Sequence, residues 1–339
     1  MKYFIVTYGC QINKADSERI ATILEKKGYK PAENIETTDL ILVNMCSIRQ
    51  SAVNRVYGLI EKFKKLKEKK KIKTILTGCV LKKDTIKFAR NFDQILKFND
   101  LYKLKPKRQD KSIAYIPISN GCNNACTYCA VPYTRGKLIC RNHKEIIKEV
   151  KTAVKNGFKE IWLLGQNVNN YQSPADSRIN FVKLLKMVSN VPGNFIIHFL
   201  SPHPKDFTEE LINIMAESKK IAKYLNLPVQ SGDNKILKKM NRPYTVEKYK
   251  NLIKKIREKI PNINLSTDII VGFPGETKKQ FENTLKLFKE LKFNMAYISK
   301  FSPRKGTLAA KLKDNVPYQE KQRRWKTLND IILNKKYNA

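Results

Sequence analysis

The chain has 339 residues, 42% of them apolar, and no apolar run approaches the length of a membrane span. Its formal charge of +37, from 67 Lys and Arg against 30 Asp and Glu, favours a polyanionic partner, with nucleic acid as the first candidate. Most of the excess is lysine, which AT-rich genomes also favour, so the charge supports an RNA substrate without establishing one. The first residues become polar too early for a signal peptide, and we expect a cytoplasmic protein with reduced thiols.

Three cysteines in the N-terminal part of the chain each follow a short apolar, β-rich run. The runs recur at about the length of one strand–helix–strand unit, which predicts a parallel sheet with each cysteine just past a strand's carboxyl end. Three thiols at one sheet edge would form a metal site; the alternative is three small buried hydrophobes. The runs and their cysteines are residues 2–7 with Cys10, residues 39–44 with Cys46 and residues 73–77 with Cys79.

Helices are predicted between these strands. Asp16 and Ser17 can cap the first helix, and residues 49–67 have apolar side chains at helical spacing. Together with the strands, these helices predict an N-terminal open parallel α/β domain over residues 1–105. Residues 103–112 are polar and lack periodicity, which is typical of an interdomain linker.

A second group of cysteines is compact: Cys122, Cys126 and Cys129 are spaced C-x3-C-x2-C. Three thiolates on one loop can bind three irons of a cubane iron–sulfur cluster, which leaves the fourth iron open to a small molecule. The alternative is a structural zinc site, which requires a fourth ligand. Cys140 and His143 are the nearest candidates for that ligand, although their spacing is unlike that of a zinc finger.

Beyond residue 112, strand-like and helical segments alternate. This alternation predicts a parallel sheet curled into part of a barrel, over residues 106–316, with ligands bound where strands meet the following helices. The tail, residues 317–339, is predicted to be one basic helix that packs on the barrel, faces RNA or leads towards another domain. The predicted strands are residues 113–119, 160–164, 194–200, 224–229, 264–271 and 295–301.

Motifs spread over nearly the whole chain resemble those of the radical S-adenosylmethionine methylthiotransferases. Within that family, they look most like the branch that acts on N6-isopentenyl-adenosine in tRNA. The combination is specific, whereas the single glycine motifs are not. The motifs are residues 7–13 (TYGCQIN), 44–49 (NMCSIR), 77–79 (TGC), 121–136 (GCNNACTYCAVPYTRG), 164–169 (LGQNVN), 227–232 (LPVQSG), 268–276 (DIIVGFPGE) and 301–307 (FSPRKGT).

The resemblance implies a fold and two cofactor sites. The fold is an N-terminal open parallel α/β domain followed by a partial (β/α)6 radical-SAM barrel. One [4Fe–4S] cluster, on the compact cysteine triplet, would bind S-adenosylmethionine and supply the electron that cleaves it. A second [4Fe–4S] cluster, on Cys10, Cys46 and Cys79, would carry the sulfur that becomes the methylthio group. One S-adenosylmethionine would provide the methyl group and a second the radical that activates C2 of the modified adenosine.

The resemblance also implies residues that contact S-adenosylmethionine. Tyr128 lies inside the cysteine triplet, and the remaining candidates follow or end predicted strands, where the barrel would bind its ligand. These candidates are Gly165, Gln166, Asn167, Gln230, Ser231, Asp268 and Gly272.

The expected partners are the anticodon stem-loop of tRNA, an electron donor of the flavodoxin or ferredoxin type and an iron–sulfur carrier, with the enzyme acting as a monomer. Three features depart from the family pattern. The chain ends at Ala339, where an RNA-binding TRAM module usually begins. Asn226 stands where the family often has His, and Cys140 is an additional cysteine that we expect to serve in packing.

Four arginines are prominent among the many lysines: Arg135, Arg141, Arg242 and Arg304. Each can bind phosphate through its planar fork or form a structural ion pair.

Two other functions compete with methylthiolation of isopentenyl-adenosine. A sister enzyme would modify threonylcarbamoyl-adenosine in tRNA or an aspartate of a ribosomal protein. A protein of a different class would be a non-catalytic, metal-containing RNA-binding relative.

Overall fold

A computed structural model of the chain describes residues 1–48 and 50–337, and the side chains of residues 334–337 lie outside that description. Its N-terminal part is a parallel sheet with strand order β2-β1-β3-β4-β5. The strands are β1 (Lys2–Tyr8), β2 (Lys30–Pro31), β3 (Leu40–Cys46), β4 (Lys73–Cys79) and β5 (Gln94–Ile95). The helices are α1 (Gln11–Lys26), α2 (Gln50–Lys69) and α3 (Lys82–Phe88). The predicted open α/β architecture is confirmed.

Strand β3 lies at the centre of this sheet, and all seven of its residues are buried. Its side chains alternate between the two faces: Ile41 and Val43 pack against α2, whereas Leu40 and Leu42 pack against α1. The continuous apolar run is therefore that of a parallel strand covered on both faces. Its last residue, Cys46, pairs in register with Cys79 of β4.

The second part of the chain is a partial barrel of parallel strands. Two three-stranded sheets, β6-β9-β10 and β11-β12-β13, are joined where Ile197 bridges Ile221. The predicted partial barrel is confirmed. The strands are β6 (Ile113–Pro117), β9 (Glu160–Leu164), β10 (Ile196–Phe199), β11 (Tyr224–Asn226), β12 (Asn264–Val271) and β13 (Met295–Lys300). The helices that follow them are α5 (His143–Lys155), α6 (Phe181–Ser189), α7 (Glu209–Glu217), α8 (Asn234–Lys239), α9 (Val246–Lys259) and α10 (Lys278–Leu291).

A short antiparallel pair encloses the cysteine loop: β7 (Ser119–Asn120) precedes it and β8 (Ile139–Cys140) follows it. Helix α4 (Val131–Arg135) lies between the loop and β8. The carbonyl oxygens of Gly136 and Lys137 come so close to Gly121 that a Cβ there would lie 2.6 and 2.1 Å from them. Gly121 also has φ +78°, so the entry into the cysteine loop requires glycine.

The basic tail forms helix α11 (Tyr318–Tyr337), which packs on the barrel. Leu328 and Ile332 join the barrel core, and Nε1 of Trp325 donates to the carbonyl oxygen of Ile298 (3.0 Å). A buried ion pair between Arg324 and Glu276 (2.7 Å) fixes the first half of the helix. Of the three roles considered for the tail, packing on the barrel is thus the one observed. The predicted tail residues 338–339 lie outside the described residues.

The start of helix α1 differs from the sequence prediction. The helix begins at Gln11, because the backbone N–H of Cys10 donates to Oδ1 of Asn13 (3.3 Å) and so caps its first turn. Asp16 and Ser17, predicted to be caps, are buried within the helix. The second predicted helix is observed from Gln50, while its predicted first residue, Arg49, lies outside the described residues.

Among the helices that the structure describes, none combines the length and apolar character needed to cross a membrane.

Candidate metal centres

Cys10, Cys46 and Cys79 lie at the carboxyl ends of β1, β3 and β4, as predicted. Cys46 and Cys79 are buried, and their thiols are hydrogen-bonded to one another. This bond lowers the pKa of Cys46 and raises the pKa of Cys79 well above its usual value. Burial raises the pKa of Cys10. The sheet therefore collects three thiols from three strands at one edge.

Asn13 connects these thiols. Its Oδ1 accepts from Sγ of Cys10 (3.4 Å), and its Nδ2 donates to Oδ1 of Asn44 (2.9 Å) and lies 3.9 Å from Sγ of Cys79. The amide is fully buried, so this contact set holds the cysteines in a defined relation. Sequence analysis did not identify Asn13 as a site residue, although it belongs to the motif that contains Cys10.

Gly78 allows β3 and β4 to approach closely just before Cys79. A Cβ on Gly78 would lie 2.3 Å from the carbonyl oxygen of Met45, and the residue has φ +106°. Any side chain at this position would push the strands apart and displace Cys79 from Cys46.

The second set, Cys122, Cys126 and Cys129, lies on the loop after β7, and each of its residues is half-buried. Burial raises the pKa of Cys122 and raises the pKa of Cys129 to about 12. The end of α8 anchors the loop: the backbone N–H of Thr127 donates to the carbonyl oxygen of Met240 (3.1 Å), and Nδ2 of Asn241 donates to the carbonyl oxygen of Ala125 (2.9 Å).

Arg242 follows this anchor and reaches the loop from the barrel. Its Nη1 donates to Sγ of Cys126 (3.6 Å), its Nη2 to the carbonyl oxygen of Pro228 (2.8 Å) and its Nε to Oη of Tyr244 (2.6 Å). The residue is only 7% exposed. A buried guanidinium requires negative charge nearby, which a thiolate of a bound cluster would supply.

The donor chemistry of both cysteine sets fits an iron–sulfur cluster. In each set, in addition to burial, a neighbouring thiolate raises the pKa of at least one cysteine, here Cys10, Cys122 and Cys129, which shows that the thiols of a set lie near one another. Within residues 1–48 and 50–337, no group of three or more His, Cys, Asp or Glu side chains is placed to hold a single metal ion. Ligands of a cubane cluster each bind a different iron and therefore stand farther apart than the ligands of one ion.

Tyr128, predicted to contact S-adenosylmethionine, packs against an apolar cluster beneath the cysteine loop. Burial raises its pKa well above the usual value. The side chain of Tyr128 therefore packs the cysteine loop onto the barrel. The cluster consists of Ile236, Met240, Phe273, Phe301 and Ala309.

The turn after β9 contains the predicted residues Gly165, Gln166 and Asn167. Oε1 of Gln166 and Oδ1 of Asn167 are buried and have no hydrogen-bond partner among the described residues, and the same holds for Oγ of Ser119. A Cβ on Gly165 would lie 2.6 Å from that hydroxyl group. Unpaired buried polar atoms are costly, so these three are suited to a polar ligand at the barrel mouth.

His203, which sequence analysis missed, has the same property. Its Nδ1 accepts from the backbone N–H of Lys205 (3.2 Å), so the neutral ring carries its proton on Nε2. That Nε2 is buried and lacks a hydrogen-bond partner within the described residues. Burial, with Arg242 and Lys205, lowers the pKa of His203 to about 3, which keeps the ring neutral. The sequence signal that could have identified His203 is its position just after β10, at the strand end where the barrel would bind its ligand.

The other predicted residues lie at the ends of β11 and β12. Gln230 has φ +73° and bridges Ile269, and Oγ of Ser231 accepts from the backbone N–H of Asp233 (3.2 Å). Asp268 accepts from Nδ2 of Asn226 (2.9 Å), which gives the unusual asparagine a structural partner.

The space beside Gly272 is filled by the side chain of Lys321 from α11. A Cβ on Gly272 would lie 2.3 Å from Cγ of that lysine. Gly272, predicted to contact S-adenosylmethionine, is thus approached closely by a side chain of the tail helix.

The four prominent arginines lie inside the protein. Arg141 pairs with Glu149 (2.9 Å), and Nη1 of Arg304 donates to Oε1 of Gln50 (2.7 Å) across the two domains. Arg135 pairs with Asp16 (2.7 Å). All four arginines therefore have hydrogen-bond or ion-pair partners inside the protein. Cys140 is half-buried against the barrel core, as expected for a packing residue.

Residues of both domains line an interdomain cavity of about 510 Å³. This volume is within the usual range for small-molecule sites. Its walls include residues of β3 and β4, of β7 and of helix α4: Asn44, Thr77, Gly78, Asn120, Thr134 and Arg135.

Two family models match the chain. The Radical SAM superfamily model covers residues 116–288, and the model named Uncharacterized protein family UPF0004 covers residues 2–98. The first match includes the compact cysteine set, and the second includes Cys10, Cys46 and Cys79.

Solved structures support the fold. A radical S-adenosylmethionine methyltransferase from Kitasatospora setae, with cobalamin and a [4Fe-4S] cluster bound, has a TM-score of 0.64 and 13% identity, over 91% of this chain and 77% of that one. The cobalamin-dependent S-adenosylmethionine radical enzyme OxsB has a TM-score of 0.59 and 11% identity, over 99% of this chain and 56% of that one.

Curated relatives are far more similar. The tRNA-2-methylthio-N(6)-dimethylallyladenosine synthase of Clostridium botulinum (strain Hall) is 41% identical, over 98% of this chain and 81% of the relative. The protein of the same name from Thermoanaerobacter sp. (strain X514) is 41% identical, over 97% of this chain and 77% of the relative. With its two family domains and this degree of identity, the chain belongs to the radical S-adenosylmethionine methylthiotransferases, in the family of the tRNA-2-methylthio-N(6)-dimethylallyladenosine synthases.

Proposed function

We propose that this methylthiotransferase inserts a methylthio group at C2 of N6-isopentenyl-adenosine at position 37 of tRNA. It would use two S-adenosylmethionine molecules and two [4Fe–4S] clusters. The observation that carries the proposal is the presence of two three-thiol sets, one per domain, with Arg135, which follows the compact set in the chain, donating to Sγ of Cys79 across the domain boundary (2.9 Å). The names of the relatives supply the substrate.

Cys122, Cys126 and Cys129 would hold the first cluster. When bound, this cluster supplies the electron that cleaves S-adenosylmethionine to methionine and a 5′-deoxyadenosyl radical. The chain's own contribution is to position the loop through its contacts with the end of α8 and to place the guanidinium of Arg242 beside Cys126.

Cys10, Cys46 and Cys79 would hold the second cluster, which supplies the sulfur atom of the methylthio group. Asn13 orients Cys10 and Cys79. Gly78 permits the close strand approach that sets Cys79 beside Cys46.

S-adenosylmethionine would lie at the carboxyl edge of the barrel. The unpaired polar atoms of Ser119, Gln166, Asn167 and His203 support this placement, because a ligand with amino, carboxylate and ribose groups can satisfy them. The further candidates are the strand-end residues Gly165, Gln230, Ser231, Asp268 and Gly272, with Tyr128 supporting the loop.

The charge of +37 supports capture of a tRNA anticodon stem-loop. A flavodoxin- or ferredoxin-like electron donor and an iron–sulfur carrier complete the proposed cytoplasmic system, in which the enzyme acts as a monomer. The proposed units are the cluster-binding α/β domain (residues 1–105), the radical-SAM barrel (residues 106–316) and the tail helix (residues 317–339).

The test uses anaerobically reconstituted protein and two anticodon stem-loops, one with N6-isopentenyl-adenosine and one with threonylcarbamoyl-adenosine. Mass spectrometry of the nucleosides should show a methylthio product only with the first substrate. Product only with the second substrate, or only with a ribosomal-protein aspartate, would assign the chain to a sister activity. Iron analysis should give about eight irons per chain, as expected for two cubane clusters.

A further inference from the structure

The side chain of Arg135 reaches from the segment after the compact cysteine set to a cysteine of the N-terminal set. It is 9% exposed and lies on the last residue of α4, directly after the loop that contains Cys122, Cys126 and Cys129. From the barrel its Nε donates to Sγ of Cys79 over 2.9 Å, across the boundary with the N-terminal domain.

The remaining contacts fix the orientation of this guanidinium. Nη2 donates to Oδ2 of Asp16 (2.7 Å), and Nη1 donates to Oδ1 of Asn120 (3.0 Å) and lies 3.4 Å from Oη of Tyr102. Oη of Tyr102 in turn donates to the other carboxylate oxygen of Asp16 (2.9 Å). All three nitrogens of the guanidinium thus have acceptors, and the Nε–H points at the sulfur.

We propose that Arg135 is a positioning residue through which the barrel holds Cys79 and sets the reduction potential of the cluster on Cys10, Cys46 and Cys79. This inference rests on the proposed function, because it requires that second cluster. It assigns Arg135 a role in the chemistry of the N-terminal set, although its sequence position is beside the other set.

The physical basis is the charge on the thiolate. A hydrogen bond from a cation to a cluster sulfur stabilises the reduced, more negative cluster and raises its reduction potential. Asp16 opposes this effect, since its carboxylate compensates the positive charge of Arg135. Replacing Arg135 and replacing Asp16 should therefore shift the potential in opposite directions.

The experiment isolates the N-terminal cluster by making every variant in a Cys126→Ala background, followed by anaerobic reconstitution and iron analysis. The reduction potential is measured by a redox titration monitored by electron paramagnetic resonance. Arg135→Met should shift the potential to more negative values, and Asp16→Asn should shift it to more positive values. Arg135→Lys, which keeps a charge without the planar fork, should fall between Arg135→Met and the background protein.

Arg141→Gln is the matched control, because Arg141 is equally buried and ion-paired, yet its hydrogen bonds go to Glu149 and Pro117. It should leave the potential unchanged. Equal potentials in the Arg135→Met, Asp16→Asn and background proteins would overturn the inference. A shift of the same sign in both variants would also overturn it, because loss of structure alone can produce that result.

If Arg135→Met fails to retain iron, the sign of the Asp16→Asn shift decides: a positive shift supports the inference, and an unchanged or negative one refutes it. Failure of the proposed function gives a different result. In that case the Cys126→Ala protein itself would bind no iron–sulfur cluster.

Discussion

The guanidinium of Arg242 donates to Sγ of Cys126 at 3.6 Å from a buried position in the barrel. Within the described part of the chain, its other acceptors are a carbonyl oxygen and a phenol, and neither is a carboxylate. The charge of Arg242 is therefore matched to an anionic cluster on the neighbouring loop.

Arg242→Gln should slow the cleavage of S-adenosylmethionine by about 10- to 100-fold, as is usual when a partner of a metal ligand is removed. The change deletes a positive charge beside the cluster and one anchor of Cys126. Formation of 5′-deoxyadenosine, measured under reducing conditions, reports the rate. Arg242→Lys should be intermediate, and a wild-type rate for Arg242→Gln would show that the contact is incidental.

Cys10→Ala should abolish methylthiolation while cleavage of S-adenosylmethionine continues. Cys10 belongs to the N-terminal set, and the barrel holds the other set independently. Liquid chromatography of 5′-deoxyadenosine and of the tRNA nucleosides separates the two activities in one sample. Loss of both activities would contradict the assignment of S-adenosylmethionine cleavage to the compact set and of sulfur supply to the N-terminal set.

Cys140→Ala is the control for that experiment. Cys140 is a half-buried cysteine packed on the barrel core, and it follows the cysteine loop without belonging to either set. The variant should keep its iron and both activities. A loss of about four irons would instead identify Cys140 as a cluster ligand.

Glu149 should make the contact between the domains sensitive to acid. Burial alone would raise the pKa of Glu149, but Arg19, Arg141 and Arg108 outweigh burial and hold it below its usual value of 4.5. Because the pKa is lowered in the folded protein, the stabilisation is present above pH 4.5 and is lost as the pH falls through the lower, folded-state value.

The measurement is the thermal unfolding midpoint of the protein without clusters, recorded between neutral pH and about pH 3. Wild type should lose stability steeply below pH 4.5. Glu149→Gln should be less stable at neutral pH, by about 3 to 5 kcal/mol, since the buried Arg19 and the largely buried Arg108 and Arg141 lose their shared partner. Its pH profile should be flatter, and an unchanged slope would exclude Glu149 as the responsible group.

Arg324→Met should destabilise the docking of helix α11 by about 3 to 5 kcal/mol, because it leaves Glu276 buried without its partner. The two side chains are 3% and 1% exposed, so solvent cannot replace the interaction. Urea unfolding followed by tryptophan fluorescence reports this, since Trp325 lies on the same helix and packs on the barrel.

The neighbouring Arg323 provides the control. Its side chain is 55% exposed and pairs with Glu320, so Arg323→Gln should cost no more than about 1 kcal/mol. A second change, Glu276→Gln in the Arg324→Met protein, should recover part of the loss. Equal costs for the two single variants would show that burial does not decide the strength of these pairs.

Local sequence patterns were sufficient to predict both cysteine sets, the open parallel α/β domain and the partial barrel. The C-x3-C-x2-C spacing places Cys122, Cys126 and Cys129 on one loop whatever the remainder of the chain does. Cys10, Cys46 and Cys79 could be assigned to one sheet edge because parallel strands bring their carboxyl ends together. The placement of the three N-terminal thiols at one sheet edge could therefore be predicted from the parallel direction of their strands alone.

Contacts that depend on how separate elements pack could not be predicted in this way. Asp16 was expected to cap a helix, yet the cap lies at Cys10 and Asp16 is buried against Arg135, 119 residues further along the chain. The tail was assigned no single role, and its burial rests on the distant partner Glu276.

The same distinction holds for the cysteines at which the chain was expected to bind metal. Their identity and spacing can be read along the sequence, because each belongs to a short segment with its own strand or turn signal. The partner of Cys79 in the other domain is decided by how the barrel packs against the N-terminal sheet. Only that packing brings Nε of Arg135 within 2.9 Å of Cys79, since no local pattern specifies a contact between two domains.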